Sequence, residues 1–243
     1  MGRFQRYKHV LSAKRYIQAS QYYPSNLGLQ LLKITILSHT KNPDLLCAKI
    51  GRYSNVSETW EELERKIPSG GWEAFLRKVI KMGHTSVLEH AVFTFEITGV
   101  SRVFTHQFVR HRIASYLQKS FRRTKIKELI LPKSVLEAAE DPEKLQQAAE
   151  ALYREYYRRG VPMEDARYLA PMGSETAIIA TFNARTLLES FFPLRLHQTA
   201  QFEIRAIANE MLRLVKEIAP VIFQDLEVNE ELLQEYRSSF GKP

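Results

Sequence analysis

The sequence predicts an α+β fold with several strands and dominant helices, and three observations carry that expectation. Alternating or β-branched runs at 31–38, 92–98 and 176–182 read as strands. Longer stretches with helical apolar spacing, opened by capping residues or proline and closed by glycine or proline, fill most of the remainder. No repeat or low-complexity segment interrupts them, and the 243 residues suffice for one good core near the upper end of a single domain.

Residues 1–24 form a basic aromatic arm ahead of a domain spanning 25–243. The arm interleaves Arg3, Arg6, Lys8, Lys14 and Arg15 with Phe4, Tyr7, Tyr16, Tyr22 and Tyr23, and no acidic residue precedes Asp44. It reads either as a nucleic-acid-stroking segment or, more simply, as a frayed or subunit-docking extension. Leu31 to Ser38 is the first strand. Asn42 as N-cap and Pro43 at the first helical position open a helix carrying Leu45, Leu46, Ala48 and Ile50 and ending near Gly51. Trp60 to Ile67 is helical, Pro68-Ser69-Gly70-Gly71 breaks it, and Trp72 to Met82 resumes with Gly83 as a left-handed stop. His84 follows at once.

Val92 to Thr98 is the next strand, after which Gly99 is expected to turn the chain into a helix carrying Gln107 and Arg110. On such a helix His106, Gln107, Arg110 and His111 project in one general direction and Arg112 in another. Lys125 to Pro132 reads as a connector or short strand. Asp141-Pro142 starts a long helix to Arg159, stopped by Gly160, with Ala148, Leu152 and Tyr156 as its core face. Thr176 to Phe182 is a short buried strand, and Leu196 to Ile218 an amphipathic helix ended by Pro220.

A hydrophobic fraction of 44% and a charged fraction of 26% are usual for a soluble globular chain. The net charge of +8 and pI near 9.5 imply anionic partners: nucleic acid, an anionic membrane face or small phosphorylated molecules. The single cysteine, Cys47, rules out an intrachain disulfide and a cysteine-based zinc site and suits a reducing cytoplasm. Its apolar helical setting reads as structural rather than reactive. No stretch reaches the roughly 18 apolar residues of a membrane span, and the N-terminus carries no signal-peptide core.

The densest chemistry lies between Arg110 and Arg122, read as Arg-His-Arg-Ile-Ala-Ser-Tyr-Leu-Gln-Lys-Ser-Phe-Arg. Guanidinium forks and the hydroxyls of Ser115 and Ser120 suit phosphate and carboxylate oxygens. A solvated basic helix is the plainer alternative. The spacing Arg110-His111-Arg112, Ser115, Ser120, Arg122 resembles the signature of the flavin-dependent thymidylate synthases. The resemblance extends to His84-Thr85-Ser86-Val87-Leu88-Glu89-His90 with the strand after it. Downstream it takes in Arg167 and Pro171, Asn183-Ala184-Arg185, Leu194-Arg195 and Ala200-Gln201, covering roughly residues 28 to 225.

The resemblance implies a compact domain with a twisted mixed or antiparallel sheet beside a helical bundle. It implies reductive methylation of dUMP to dTMP, with FAD as cofactor, 5,10-methylenetetrahydrofolate as carbon donor and NADPH as reductant, and without a cysteine nucleophile. No Gly-rich phosphate loop is present in the sequence, so arginines and helix ends must hold the phosphates. By carry-over, Ser86, Arg110, His111, Arg112, Asn183 and Arg185 address FAD. Gln107, Arg110, Ser120, Arg122, Arg167 and Arg195 address dUMP, with Arg195 polarising a ring carbonyl and His84 placed near flavin and folate. Without the resemblance, His84 reads as a helix-capping histidine. The family's homotetramer, with active sites shared between subunits, is implied too.

Departures from the family pattern fall at Leu117 and Gln118, where Asn and Glu are usual, at Arg123 for Tyr, and at Thr199 for His, with His197 two residues earlier. The spacing from Asn183 to Arg195 is one residue longer, around Glu189-Ser190. These departures motivate an alternative, a catalytically weakened FAD- and nucleotide-binding paralogue. Basicity alone motivates a weaker one, a nucleic-acid-binding protein.

Overall fold

A computed structural model of the chain describes residues 32–66, 70–126 and 129–240. The basic N-terminal arm lies outside the described residues. Four strands, β1 (Lys33–His39), β2 (Val92–Ser101), β3 (Ala114–Gln118) and β4 (Glu175–Asn183), form an antiparallel sheet in the order β1-β2-β4-β3. The helices are α1 (Pro43–Tyr53), α2 (Trp60–Lys66), α3 (Trp72–Lys81), α4 (Arg102–Phe108), α5 (Lys133–Ala138), α6 (Pro142–Arg158) and α7 (Met163–Ala166). After β4 come α8 (Ala184–Thr186), α9 (Phe192–Arg195), α10 (Phe202–Ile218) and α11 (Glu230–Phe240). The α+β class is as the sequence predicts.

Strand alternation sets the layers. Phe93, Phe95 and Ile97 of β2 and Ala180 and Phe182 of β4 are buried on one face, while Thr94, Glu96, Thr98 and Thr181 stay half-buried on the other. Ile204, Ile207, Ala208, Met211, Leu212 and Val215 give α10 a buried stripe at helical spacing, in the same core as the β2 and β4 side chains. Two buried carboxylates fasten the helices. Asp44 of α1 accepts from the backbone N–H of Val221 at 2.9 Å and Ile222 at 3.1 Å. Glu203 of α10 accepts from the N–H and hydroxyl of Ser101 at 2.8 and 2.5 Å.

Several expectations are corrected. Gly99 does not end β2; at φ 70° it sits where the register shifts between Ile97 and Val100, and the strand runs on to Ser101. The Ser101 hydroxyl then caps α4 by accepting from the Phe104 N–H at 3.0 Å. That helix stops at Phe108, short of Arg110. Beyond it the chain enters β3, a strand absent from the sequence expectation. Its pairing with β4, distant in sequence, and the Tyr116 hydroxyl shared between the carbonyls of Phe108 (3.0 Å) and His111 (2.8 Å) hold it there. His106, Gln107, Arg110 and His111 therefore do not share one direction: Arg110 is exposed and His111 buried.

The face of α6 is also corrected. Among its described side chains Tyr153 and Glu150 are the buried ones, whereas Leu152 is 59% and Tyr156 41% exposed. Asn42 precedes α1 as expected but in a left-handed conformation, φ 45°, with no side-chain cap bond. The helix expected from Leu196 begins only at Phe202, where the Gln201 side chain caps it through the Ile204 N–H.

The expected extra residue between Asn183 and Arg195 falls where the backbone forms a wide turn. Between α8 and α9, Leu187–Phe191 form one turn of π-helix, with the Phe192 N–H reaching the Leu187 carbonyl five residues back. Pro193 favours the widening, because it has no N–H to donate and its ring crowds the carbonyl four residues earlier in an α-helix. A wide turn takes up one residue while the helix on either side keeps its direction.

Candidate active site

Arg195, at the end of α9, is held along one edge of its guanidinium. Its Nε donates to Nε2 of His111 at 2.9 Å and its Nη2 to the Gln107 carbonyl at 3.1 Å. The Nη1 hydrogens and the second Nη2 hydrogen form the remaining fork. His111 is 6% exposed and packs edge-on against Phe191 of the π turn, with ring centroids 5.0 Å apart. Burial and then the Arg195 cation push its imidazole down to about 4, so it is neutral at ordinary pH. Because Nε2 accepts from Arg195, the ring proton sits on Nδ1.

A second cluster surrounds a cavity of about 310 Å³ lined by Arg102, His106, Phe121, Arg167, Tyr168 and Met172, among others. The Arg102 guanidinium lies over the Phe121 ring, 4.0 Å from its centroid, and donates to the Lys119 carbonyl at 3.1 Å. Burial and the neighbouring Arg167 cation hold Arg102 below its usual range. Nearby, Arg122 donates through Nε and Nη2 to the Glu164 carboxylate at 3.1 and 2.8 Å, and the Arg167 Nε donates to the Glu164 carbonyl at 3.0 Å. The Ser120 hydroxyl accepts from the Arg122 N–H at 3.2 Å. Thus Ser120, Arg122 and Arg167 come together, and α4 joins this cluster to the first by placing His106 on the cavity and Gln107 at Arg195.

The remaining predicted residues spread over a third region. Arg185 is taken up by Glu89 at 2.6 Å and Glu189 at 2.8 Å, which hold its guanidinium above its usual range. Glu189 is itself held low by a hydrogen bond from Thr85 and by Arg185. Asn183 caps α8, its side-chain oxygen accepting from the Thr186 N–H at 2.8 Å. His84 and Ser86 are exposed at the start of the 3-10 turn Thr85–His90, whose Glu89 meets Arg185. Arg110 and Arg112 are exposed and carry no ion pair among the described residues. Ser115 lies apart from Ser120, on the outer face of the sheet in a row of hydroxyls with Thr181, Thr94 and Ser38.

A family model described as thymidylate synthase complementing protein matches residues 35–221. The chain is 46% identical over 201 residues to the flavin-dependent thymidylate synthase of Geobacter sulfurreducens, covering 80% of this chain and 86% of that one. The chain belongs to the flavin-dependent thymidylate synthase family. A second member of the flavin-dependent thymidylate synthases, from Sulfolobus acidocaldarius, is 41% identical over 198 residues, covering 79% and 76% of the two chains. The fold is shared with a crystal structure of the UMP/dUMP methylase PolB from Streptomyces cacaoi, at TM-score 0.68 and 21% identity over 79% of this chain and 93% of that one.

Within this site, sequence reasoning missed Glu164, Arg102 and Tyr116. Arg102 had a signal, since it stands four residues before His106 on one helix face. Glu164 had none, because its pairing with Arg122 spans 42 residues of chain. Two of the departures from the family pattern have structural partners: Gln118 donates to the Thr105 hydroxyl at 2.8 Å, and His197 and Thr199 pair side chain to side chain at 2.8 Å.

Proposed function

We propose that this chain methylates dUMP reductively to dTMP, using FAD, with 5,10-methylenetetrahydrofolate as carbon donor and NADPH as reductant. The observation that carries this reading is Arg195, anchored along one guanidinium edge and left with a terminal fork of donors in a half-buried setting. Such a fork donates to a uracil carbonyl and stabilises negative charge spread over the ring, the form in which carbon 5 is most electron-rich. Partial burial strengthens that interaction by lowering the local dielectric.

Ser120, Arg122 and Arg167 hold the nucleotide phosphate in this reading. Arg122 exchanges the one Glu164 carboxylate oxygen that both its donors share for phosphate oxygens. Gln107, half-buried beside Arg195, addresses the ring edge. The donor set also fits FAD: Arg110 and Arg112 are exposed cations without ion pairs among the described residues, suited to a diphosphate. His111 neighbours them, Asn183 and Arg185 would serve the adenine or ribose side, Ser86 the same cofactor, and His84 the region near the flavin and folate. FAD, when bound, supplies the hydride chemistry that no side chain carries.

The large exposed side chains around the site, Ile113 at 72% and Leu117 at 71%, support a homotetramer whose subunits share active sites. No helix among the described residues is long and apolar enough to cross a membrane, and we assign the enzyme to the cytoplasm. The deciding experiment follows the flavin absorbance under anaerobic NADPH, with tritium release from carbon-5-labelled dUMP. Bleaching that accelerates with dUMP, together with tritium release, is the expected result. A protein that takes up FAD but releases no tritium would overturn the proposal in favour of a non-catalytic paralogue.

A further inference from the structure

We propose that His111 is a positioning residue for the reaction: its imidazole aims the Arg195 guanidinium at the nucleotide ring. This rests on the assignment of Arg195 to dUMP.

The argument begins with direction. His111 stands between Arg110 and Arg112, both exposed, yet its own side chain is turned into the core and is 6% exposed. Its backbone is pinned at the end of the α4 turn, where its N–H donates to the Phe108 carbonyl at 3.3 Å and its carbonyl accepts from the Tyr116 hydroxyl at 2.8 Å. The ring rests edge-on against Phe191. In that position Nε2 is engaged by Arg195 at 2.9 Å.

The second step is what this contact does to Arg195. An arginine at the end of a short helix has several rotatable bonds and would otherwise sample many orientations. Fixing Nε on His111 and Nη2 on the Gln107 carbonyl defines the plane of the guanidinium, since two donors on one edge leave no rotation about it. The acceptor must be unprotonated, because an imidazolium would offer no lone pair and would oppose the cation. Burial and Arg195 keep it so. Among the described contacts, the ionisable groups that meet His111 are Arg195, at its ring, and Tyr116, at its carbonyl, and neither is a carboxyl group.

The test compares His111→Gln, whose Oε1 can replace Nε2 as acceptor, with His111→Leu, which cannot accept. In FAD-loaded enzyme, the Leu variant should lose roughly 10–100-fold in kcat for tritium release from dUMP, the scale of a misplaced catalytic group. Its FAD affinity and dUMP KM should stay within about threefold, and Gln should recover most of the rate. Independently of turnover, NMR of arginine side chains should resolve one slowly exchanging Nε–H that vanishes in Arg195→Lys, persists in Gln and is lost in Leu. If the Leu variant does not fold, the contact is read from the other side: Arg195→Ala should raise the His111 pKa in a histidine ring titration. An unmoved titration would overturn the contact.

The proposal fails if the Leu variant keeps both its rate and the Nε–H signal, if its main defect is weakened FAD binding that saturating FAD repairs, or if Gln performs no better than Leu. A wild-type enzyme that releases no tritium would instead sink the dUMP assignment of Arg195, and the Nε–H result would still decide whether His111 holds that arginine.

Discussion

The thiol of Cys47 is fully buried, and burial together with the Asp44 carboxylate pushes it up to about 12, far from the thiolate a nucleophile needs. Cys47→Ala should therefore keep turnover within about twofold and cost about 1–2 kcal/mol of stability for the lost packing, read from dUMP turnover and urea unfolding. Loss of turnover in a folded variant would reinstate a cysteine mechanism. His111 shows the opposite protonation shift. Its folded pKa of about 4 lies below the unfolded value near 6.5, so between those pH values the unfolded chain binds more protons. Its contribution is fully present above about pH 6.5 and is lost as pH falls toward 4, on the order of 3 kcal/mol in all. Unfolding curves of wild type and His111→Gln should converge across that window, and parallel curves would show that the imidazole is not held neutral. Arg122 and Glu164 are more than half exposed, so their ion pair adds little to stability. Arg122→Ala should leave the melting temperature within a few degrees and weaken dUMP binding at least tenfold by calorimetry; unchanged affinity would remove Arg122 from the phosphate site.

Elements whose ends carry local signals were legible in the sequence: Pro43 and Asp141 open α1 and α6, and Gly83 and Gly160, at φ 78° and 86°, close the turns after α3 and α6. The strand β3 was not, because Arg-His-Arg-Ile-Ala-Ser carries no turn residue to end a helix and its strand character comes from β4, about sixty residues on. The wide turn at Leu187–Phe191 was visible only as a spacing anomaly. Because the π turn already holds one residue in excess, deletion of the exposed Ser190 should contract it to an ordinary helical turn and keep kcat within about threefold. Deletion of Leu194, beyond the turn, should rotate Arg195 by about 100° around the helix and abolish activity. Equal loss from both deletions would mean that the turn does not absorb the extra residue.

At the scale of the molecule, the sheet and α10 share one core, while the α6 face bearing Leu152 and Tyr156 stays exposed. A helix reading as amphipathic fixes the spacing of its apolar positions but not which protein they meet. Docking of that face between subunits of the proposed tetramer predicts that Leu152→Glu lowers the mass measured by light scattering while monomer secondary structure persists; an unchanged mass would place α6 outside the interface. The sequence by itself determined the α+β class, the ends of α1, α2, α3 and α6 to within a residue or two, and the stock of guanidinium, imidazole and hydroxyl groups, because caps, prolines and apolar periodicity act within a turn or two of chain. Only the tertiary structure decided that His111 turns inward to Arg195, 84 residues away, that Glu164 meets Arg122, and that Asp44 caps a turn 177 residues on. Those pairings depend on how the strands and helices pack, and no local signal specifies a partner that packing alone brings within reach.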